Sequence, residues 1–525
     1  MTISEYIIFH ALLIGASLHS SKGSELWPKD SQMKRVWQNI DYGDIMKEWR
    51  FKEIKQYVQS IAEDEELRKG GDDWWRFSGW ISAFNRRRDM LIGSFVFVFD
   101  ESMSAFIPRY VCSLFFNLTH LNQLNFLRTT KTGGLPNLSF VKRKPEPLGT
   151  EFKNLVDGVT GVMTWLEIQE GKDRMNKKEF HRSLGTTSAC CMRGLKATEG
   201  KPFSSLGSRD GEGEEEEQPK RKRLYFGDSW FGSVKTCVAI GKAEHHAFMM
   251  VKTAHARSPK NWLEEKMKDC PGGTWIVLEG TAEEGVPLMA IGYKYKKKKV
   301  LTFVGTRGAG STNQGEPYEA RFPDKYGNVC VRHVARPSIV SHYFNYSNCV
   351  DVHNQGRQFD LALEKKWVTM NPYFRLWVTI LGMTVVDTWK VTRLIKKTSR
   401  KPQTLLQFVN QLVWEMMEMA DRLETKNEAA LTLVTMGSST DASTSASEVS
   451  SITPLAVSGT HTKERSSKQL RCIWCSRVNL MNRKTHIVCV ECGRGFCRDS
   501  CWSHHVAYGG VPPLPKRGTK KRKVH

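Results

Sequence analysis

Residues Arg223–Ser233, RLYFGDSWFGS, decide the fold of the central part of this chain. A short apolar run, Leu224–Phe226, leads into Gly227 and then into a single carboxylate, Asp228. A β-type run that ends on glycine predicts a strand ending at the edge of a sheet, with Asp228 at its mouth. Functional side chains collect at such ends because the strand holds them while the loop exposes them. Aspartates after strands also cap helices and turns, so this stretch alone leaves both interpretations open.

A second apolar run, Ser94–Ser102 (SFVFVFDES), also meets an acid. It is apolar on both faces, which predicts a central strand that is covered on both sides. Burying a carboxylate without a partner is costly. The sequence therefore predicts that the strand ends at Asp100-Glu101 and that Asp100 lies at its open end.

Asp351 is the third isolated acid at an element boundary, because a segment of helical character follows it. Unit charges about 4 Å apart interact by about 4 kcal/mol at an effective dielectric constant of 20, so three converging carboxylates need divalent cations. Acidic oxygens with room for water suit Mg²⁺ or Mn²⁺. Two such ions can activate an attacking hydroxyl and stabilise the leaving oxygen of a phosphodiester.

The overall charge indicates a polyanionic partner. The chain has 525 residues, enough for several structural units, and a formal net charge of +23, which favours nucleic acid first and an anionic membrane second. No apolar run reaches the ~18 residues of a membrane helix, so no membrane span is expected. Tyr6–Leu18 has the length of a signal-peptide core, but it lacks a basic flank and follows Glu5. It predicts a buried helix, with secretion or a misassigned start as alternatives.

Two alternating runs, Leu288–Tyr295 and Val300–Gly305, predict a hairpin whose turn carries four adjacent lysines. Adjacent cations repel one another at a hairpin tip unless an anion is near. The tip is therefore either solvated or in contact with DNA phosphates. The lysines concerned are Lys296, Lys297, Lys298 and Lys299.

Four segments taken together resemble the piggyBac-type DNA transposases, including domesticated piggyBac-derived proteins. They are Phe99–Phe106 (FDESMSAF), Arg143–Lys153 (RKPEPLGTEFK), Gly227–Ser233 (GDSWFGS) and Asn348–Gln355 (NCVDVHNQ). The resemblance runs from about Trp37 to Lys397 and resumes in the cysteine-rich tail. It implies an α/β fold, an RNase H-like mixed sheet flanked by helices, with helical N-terminal and insertion segments. It also implies that the three catalytic, metal-binding aspartates of the family fall on Asp100, Asp228 and Asp351.

The chain departs from the family pattern beside two of these aspartates. Ser229 stands where the family usually has Asn, and Asn348-Cys349 replaces a Gly-Gly pair. Asn354 replaces an additional acid that often follows the third aspartate. The lost charge is expected to weaken a second metal ion, which leaves present-day activity open.

The C-terminal end predicts a zinc module behind a Ser/Thr-rich linker. Six of the chain's 13 cysteines lie within Cys472–Cys501, and two histidines follow. Eight ligands suffice for two tetrahedral Zn²⁺ ions, which a module of about forty residues needs for stability. One cross-brace joins Cys472, Cys475, Cys497 and Cys501 at one ion, and Cys489, Cys492, His504 and His505 at the other, with His486 able to replace either histidine. The module resembles the family's cysteine-rich domain for transposon-end DNA, and its pattern also overlaps with RING and PHD modules.

The sequence predicts the following order of parts. It comprises a helical N-terminal domain (1–93), a catalytic domain (94–360) with an insertion (about 246–335), a helical part (361–435), a linker (436–468), the zinc module (469–510) and a basic tail (511–525). The tail resembles a nuclear import signal read by an import receptor, or else binds DNA nonspecifically. A nuclear location follows from the first interpretation. An apolar stripe on residues 405–423 fits core packing or a dimer seam.

The predicted function is that of a piggyBac-like transposase or domesticated derivative. It would act on double-stranded DNA at element ends and TTAA targets, as a homodimer, by metal-dependent strand cleavage and transfer. One alternative is a transposase-derived DNA-binding protein without catalysis. Another is an adaptor that binds proteins through the zinc module.

Overall fold

The structure is a computed structural model and describes most of the chain. The described residues are 1–28, 41–60, 73–88, 94–106, 135–142, 144, 147–199, 222–252, 257–296, 299–324, 326–395, 402–437, 463–472, 484–490, 494–496 and 501. The chain divides into two compact units, Met1–Thr435 and Met436–His525.

The first unit contains both helices and strands. The helices are α1 (Ile3–Gly15), α2 (Glu48–Ser60), α3 (Trp75–Arg88), α4 (Lys172–Met175), α5 (His181–Lys196), α6 (Val234–Lys242), α7 (Lys260–Lys266), α8 (Ser338–Tyr346), α9 (Cys349–Gln355), α10 (Leu363–Lys366), α11 (Pro372–Ile395) and α12 (Leu405–Gly437). Its strands are β1 (Val96–Ala105), β2 (Ser139–Phe140), β3 (Leu148–Asp157), β4 (Met163–Ile168), β5 (Leu224–Gly227), β6 (His246–Val251), β7 (Trp275–Thr281), β8 (Pro287–Lys296), β9 (Lys299–Thr306), β10 (Tyr318–Pro323) and β11 (Val329–Val334). The described part of α12 runs past Thr435 into the linker predicted for 436–468.

Within the described residues, nine strands form one mixed sheet in the order β2-β3-β1-β5-β6-β9-β8-β7, and β4 also pairs with β3. β1 is antiparallel to β3 and parallel to β5, and β6 continues the parallel arrangement. β9 then joins β6 in the antiparallel sense. The predicted mixed sheet flanked by helices is confirmed. Within residues 246–335, predicted as an insertion, β6 to β9 belong to this sheet, whereas β10 and β11 pair with each other in a separate sheet.

β1 shows why its sequence is apolar on both faces. Phe97 and Phe99 pack on one side of the sheet with α5 and α6, whereas Val96 and Val98 pack on the other side with α8. The predicted doubly covered strand is confirmed. Its predicted end at Asp100-Glu101 is wrong, because β1 continues to Ala105. The ladder with β3 reaches that residue and keeps the backbone extended past the acids.

The N-terminal helices share a core with the C-terminal helices of the first unit. Phe9 and Leu13 of α1 are buried in the same cluster as Phe374 of α11 and Val409 of α12. The Trp367 indole also donates to the Leu13 carbonyl over 2.8 Å. The buried helix expected near the N-terminus is confirmed, and residues 1–93 are not a separate body. Among the described residues, none of the helices has the length and apolar character that crossing a bilayer requires.

The second unit contains a small antiparallel sheet in its described residues. Its strands are β12 (Lys463–Arg471), β13 (Lys484–Cys489) and β14 (Arg494–Gly495). β12 begins before residue 469, where the sequence predicted the module to start.

Candidate active site

Asp100 and Asp228 come together because two parallel strands differ in length. β5 ends at Gly227, which lies in register with Phe99 of β1. Asp100 and Asp228 therefore occupy the first positions beyond the last pair, on strands spaced by about 4.8 Å. Beyond this point the pairing of β1 with β5 stops, whereas its pairing with β3 continues to Ala105.

The loop after β5 is shaped by the rest of its motif. The Asp228 side chain accepts from the Trp230 amide over 2.9 Å, and its carbonyl accepts from the Gly232 amide over 3.0 Å. A Cβ on Gly232 would lie 1.8 Å from the Met250 carbonyl, so a side chain cannot be accommodated there. Ser233 then caps α6 by accepting from the Thr236 amide. The segment GDSWFGS thus fixes the position of Asp228 through its backbone.

A third acid joins these two. Asp100, Glu101 and Asp228 each offer a carboxylate oxygen, and the three oxygens lie within 4.8 Å of one another. The sequence alone assigned a role to Asp100 but none to Glu101. In the sequence, the position of Glu101 directly after Asp100 is the feature that could have indicated its place in this group.

The electrostatics of the group favour an added cation. Burial raises the pKa of the Asp100 carboxyl to about 8, and the neighbouring charges of Glu101 and Asp228 add to this effect. The Lys144 ammonium acts in the opposite direction. Like charges held in a desolvated site favour a proton or a metal ion. The oxygen-only donor set fits Mg²⁺ or Mn²⁺ rather than a softer metal.

Asp351 lies on a second wall of the same cavity, which is formed by residues of α8 and α9. This cavity has a volume of about 810 Å³ and is lined by Asp100, Glu101, Asp228 and Asp351, among others. The Asp351 side chain is 67% exposed, and it is not a member of the three-acid group. The structure thus brings Asp100 and Asp228 together and places Asp351 on a different element of the same cavity.

Lys144 lies between the two walls. It belongs to the turn that joins β2 to β3. Its Nζ atom is 3.7 Å from Glu101 Oε1 and also 3.7 Å from Asp351 Oδ1. The ammonium also donates to the Glu101 carbonyl oxygen over 3.2 Å. One cation therefore bridges the strand that carries Glu101 and the helix that carries Asp351.

Behind the cavity, α9 is held by a buried ionic network. The Asp387 carboxylate of α11 contacts His353 Nε2 over 2.9 Å and Arg88 Nη2 over 2.6 Å. It also accepts from the Met163 amide over 2.9 Å. Burial alone would raise the pKa of Asp387, but His353 and Arg88 hold this pKa below its usual range. The network connects α9, α3, α11 and β4.

Part of the predicted lysine turn reaches the cavity. β8 and β9 form the predicted hairpin, in which Lys296 pairs in register with Lys299. Lys299 lines the acidic cavity together with Lys252 and Lys260. Lys297 and Lys298 lie outside the described residues.

The departures from the family pattern fall in different places. Ser229 lines the acidic cavity. Asn354 is buried, and its Oδ1 atom lies 3.4 Å from Arg357 Nη2. Asn354 lines a neighbouring cavity of about 540 Å³. Its amide therefore faces a cationic partner rather than the group around Asp100.

Three of the predicted zinc ligands belong to the described residues. Cys472, Cys489 and Cys501 are all buried. The remaining predicted ligands, Cys475, Cys492, Cys497, His504 and His505, lie outside the described residues. The pairing of these ligands stays a prediction.

Comparison with known proteins identifies the family. The family described as Transposase IS4 matches residues 111–389, more than half of the 525-residue chain. The chain therefore belongs to this transposase family, and no curated protein matches it.

The fold has a counterpart among solved structures. The cryo-EM structure of a piggyBac transposase synaptic complex with hairpin DNA matches with a TM-score of 0.56 and 13% sequence identity. The match covers 81% of this chain and 73% of that chain. At this identity the likeness shows a common fold. The resemblance to piggyBac-type transposases is confirmed.

Proposed function

We propose that this protein cuts and joins DNA as a piggyBac-like transposase or a domesticated derivative of one. The observation that carries the proposal is the meeting of Asp100 and Asp228 at the open end of β5, with Asp351 on the wall of the same cavity. The β4-β3-β1 antiparallel strands followed by the parallel pair β5 and β6 support an RNase H-like core. Lys252, Lys260 and Lys299 supply positive charge around the acids, which suits a DNA backbone.

In this proposal Asp100, Asp228 and Asp351 hold divalent cations. Mg²⁺ or Mn²⁺, when bound, would activate the attacking oxygen and stabilise the leaving oxygen of the phosphodiester. Water attacks first, and the broken P–O bond frees a 3′-hydroxyl at the element end. That hydroxyl then attacks a phosphate of the other strand and forms a hairpin, which is opened before joining at TTAA. Lysine side chains around the cavity orient the two strands by pairing with their phosphates.

The alternative, a DNA-binding protein without catalysis, rests on the departures from the family pattern. Because Asn354 stands where the family often has an acid, the neighbourhood of Asp351 has one carboxylate fewer than the family pattern. Asn354 instead contacts Arg357. The retained group of Asp100, Glu101 and Asp228 favours catalysis, because DNA binding alone gives no reason to hold three acids together.

Excision of a marked element tests the proposal. Inverted repeats bounded by TTAA in the DNA that flanks the gene would supply the element ends. We expect excision by the natural chain and its loss in Asp228→Ala. Asp269→Ala is the matched control, because Asp269 is exposed and does not line the acidic cavity. If neither the natural chain nor Asp228→Ala excises the element, the result would favour the catalytically inactive alternative.

We propose two zinc ions, and a DNA-binding role, for the second unit. The burial of Cys472, Cys489 and Cys501 beside short strands supports a module stabilised by metal. Removing metal with a chelator is expected to unfold this module and to abolish recognition of the element ends. Native mass spectrometry of the chain before chelation should show two zinc ions per chain. Full end-sequence affinity without zinc would contradict this role, and binding of a protein partner instead would favour the adaptor alternative.

Dimer formation, nuclear location and recognition of the basic tail by an import receptor are part of the same proposal. A transposase that joins two element ends has a use for two copies of its chain, and its substrate lies in the nucleus. Light scattering of the purified chain and localisation of a fluorescent fusion with and without residues 511–525 test these points.

A further inference from the structure

We propose that the Lys144 ammonium occupies the place of a second divalent cation in the metal-free site. The acidic cavity would then bind one ion at Asp100, Glu101 and Asp228 and gain the second only when Lys144 moves away. This inference rests on the proposed metal-dependent function, and it concerns the order in which ions enter rather than the reaction.

The distances define two different parts of the cavity. One part already has three carboxylate oxygens within 4.8 Å of one another. Two oxygens opposite each other on one Mg²⁺ ion lie about 4.2 Å apart, since each bond is about 2.1 Å. Three oxygens on one octahedral ion include at most one such opposite pair, and adjacent oxygens lie about 3.0 Å apart, so the group around Asp100 must draw together to hold an ion.

The other part contains the ammonium. Lys144 Nζ lies 3.7 Å from Glu101 Oε1 and 3.7 Å from Asp351 Oδ1. An ion shared by these two carboxylates would stand in the part of the cavity that Lys144 Nζ now occupies. A lysine nitrogen and a divalent cation cannot occupy that space together, because both their volumes and their charges exclude one another.

The position of Lys144 in the chain allows it to leave. Its side chain is 20% exposed and projects from the turn between β2 and β3, beside a cavity that opens to solvent. A lysine side chain is a flexible four-carbon stem with a strongly hydrated head. Its withdrawal would leave Asp351, whose side chain is 67% exposed, able to turn toward a second ion.

Binding of Mn²⁺ to the full-length, zinc-loaded chain tests the inference without any DNA. Electron paramagnetic resonance counts free Mn²⁺ during a titration. For the natural chain we expect one ion, followed by a second that binds at least about tenfold more weakly. In Lys144→Met the second ion should bind about 10- to 100-fold more tightly, because the competing charge is gone. Adding Asp351→Asn to that variant should remove the second ion again.

Two further variants and a test of folding make the result decisive. Lys144→Arg keeps the charge and should behave as the natural chain does. Lys252→Met removes a charge that also lines the cavity and should leave the second ion weak. Thermal unfolding of each variant shows whether it is folded. Two ions of equal affinity in the natural chain would overturn the inference even if Lys144→Met failed to fold.

The outcomes also separate this inference from the proposed function. If Mn²⁺ binds as expected but excision never occurs, the inference about Lys144 stands and the transposase activity does not. If excision depends on Asp228 but Lys144→Met binds Mn²⁺ as the natural chain does, only the role of Lys144 is overturned.

Discussion

The two walls of the acidic cavity are built in different ways. Asp100 and Glu101 stand on β1 and Asp228 directly follows β5, and backbone hydrogen bonds of the sheet and of the loop fix the positions from which their side chains extend. Asp351 stands on the short helix α9, which side chains hold in place from behind through His353 and Asp387. The strand wall is assembled before any ligand arrives, whereas the helix wall carries an exposed carboxylate. We infer that the strand wall sets the first ion and the helix wall completes the site.

The largest expected effect comes from the strand wall. Asp100→Asn should lower excision at least about a thousandfold, because a metal ligand contributes several kcal/mol of transition-state stabilisation. The same variant should not lower the melting temperature of the metal-free chain, since a neutral amide replaces a carboxyl group whose charged form is disfavoured by burial. Asp351→Asn should also abolish excision, but it breaks the contact with Lys144 and leaves the Asp100 group intact. Equal melting shifts in the two variants would contradict the difference between the walls.

The buried network that holds α9 should contribute measurably to the free energy of unfolding. Asp387→Ala leaves the Arg88 guanidinium buried without its counter-ion and His353 without its hydrogen-bond partner, and such a loss of a buried counter-ion costs about 3–5 kcal/mol. Urea unfolding of the first unit measures the change. Glu418→Ala is the control, because it removes an exposed pair with Arg422 that is worth about 0.3–0.5 kcal/mol. A loss of less than 1 kcal/mol in Asp387→Ala would show that packing alone holds α9.

The pH dependence of the metal-free chain distinguishes the walls further. The pKa of Asp100 is raised to about 8 from its ordinary 3.8, so the folded chain keeps a proton that the unfolded chain releases. Its contribution to stability should therefore fall as pH rises from about 4 to about 8, by up to about 1.4 kcal/mol per pH unit. Urea midpoints measured between these limits should show the slope, and Asp100→Asn should lack it. Asp351→Asn is expected to keep the slope.

The smallest effect is expected at the rim of the cavity. Lys299→Ala should weaken DNA binding a few-fold and lower the salt dependence by about one counter-ion. Fluorescence anisotropy at several salt concentrations measures both quantities. Lys268→Ala, at an exposed lysine that does not line the cavity, should change neither. An unchanged salt slope in Lys299→Ala would place the DNA away from this rim.

The sequence predicted those features that depend on neighbouring residues along the chain. Alternating apolar residues predicted the β8–β9 hairpin, and the two-sided run Val96–Phe99 predicted a strand covered on both faces. The acids were also recognised, because single carboxylates beside apolar runs stand out. The end of β1 was misjudged, since an acid in a strand is tolerated when the adjacent strand stops beside it. That condition depends on β5, more than a hundred residues later.

The sequence by itself determined the family, the candidate acids and the strand beside which each of the first two lies. It did so because local burial and the order of motifs are written in the residues themselves. Only the tertiary structure decided that Glu101 joins Asp100 and Asp228, and that Lys144 stands between them and Asp351. These contacts join segments that are distant along the chain, and their geometry follows from strand lengths and helix packing that no local pattern contains.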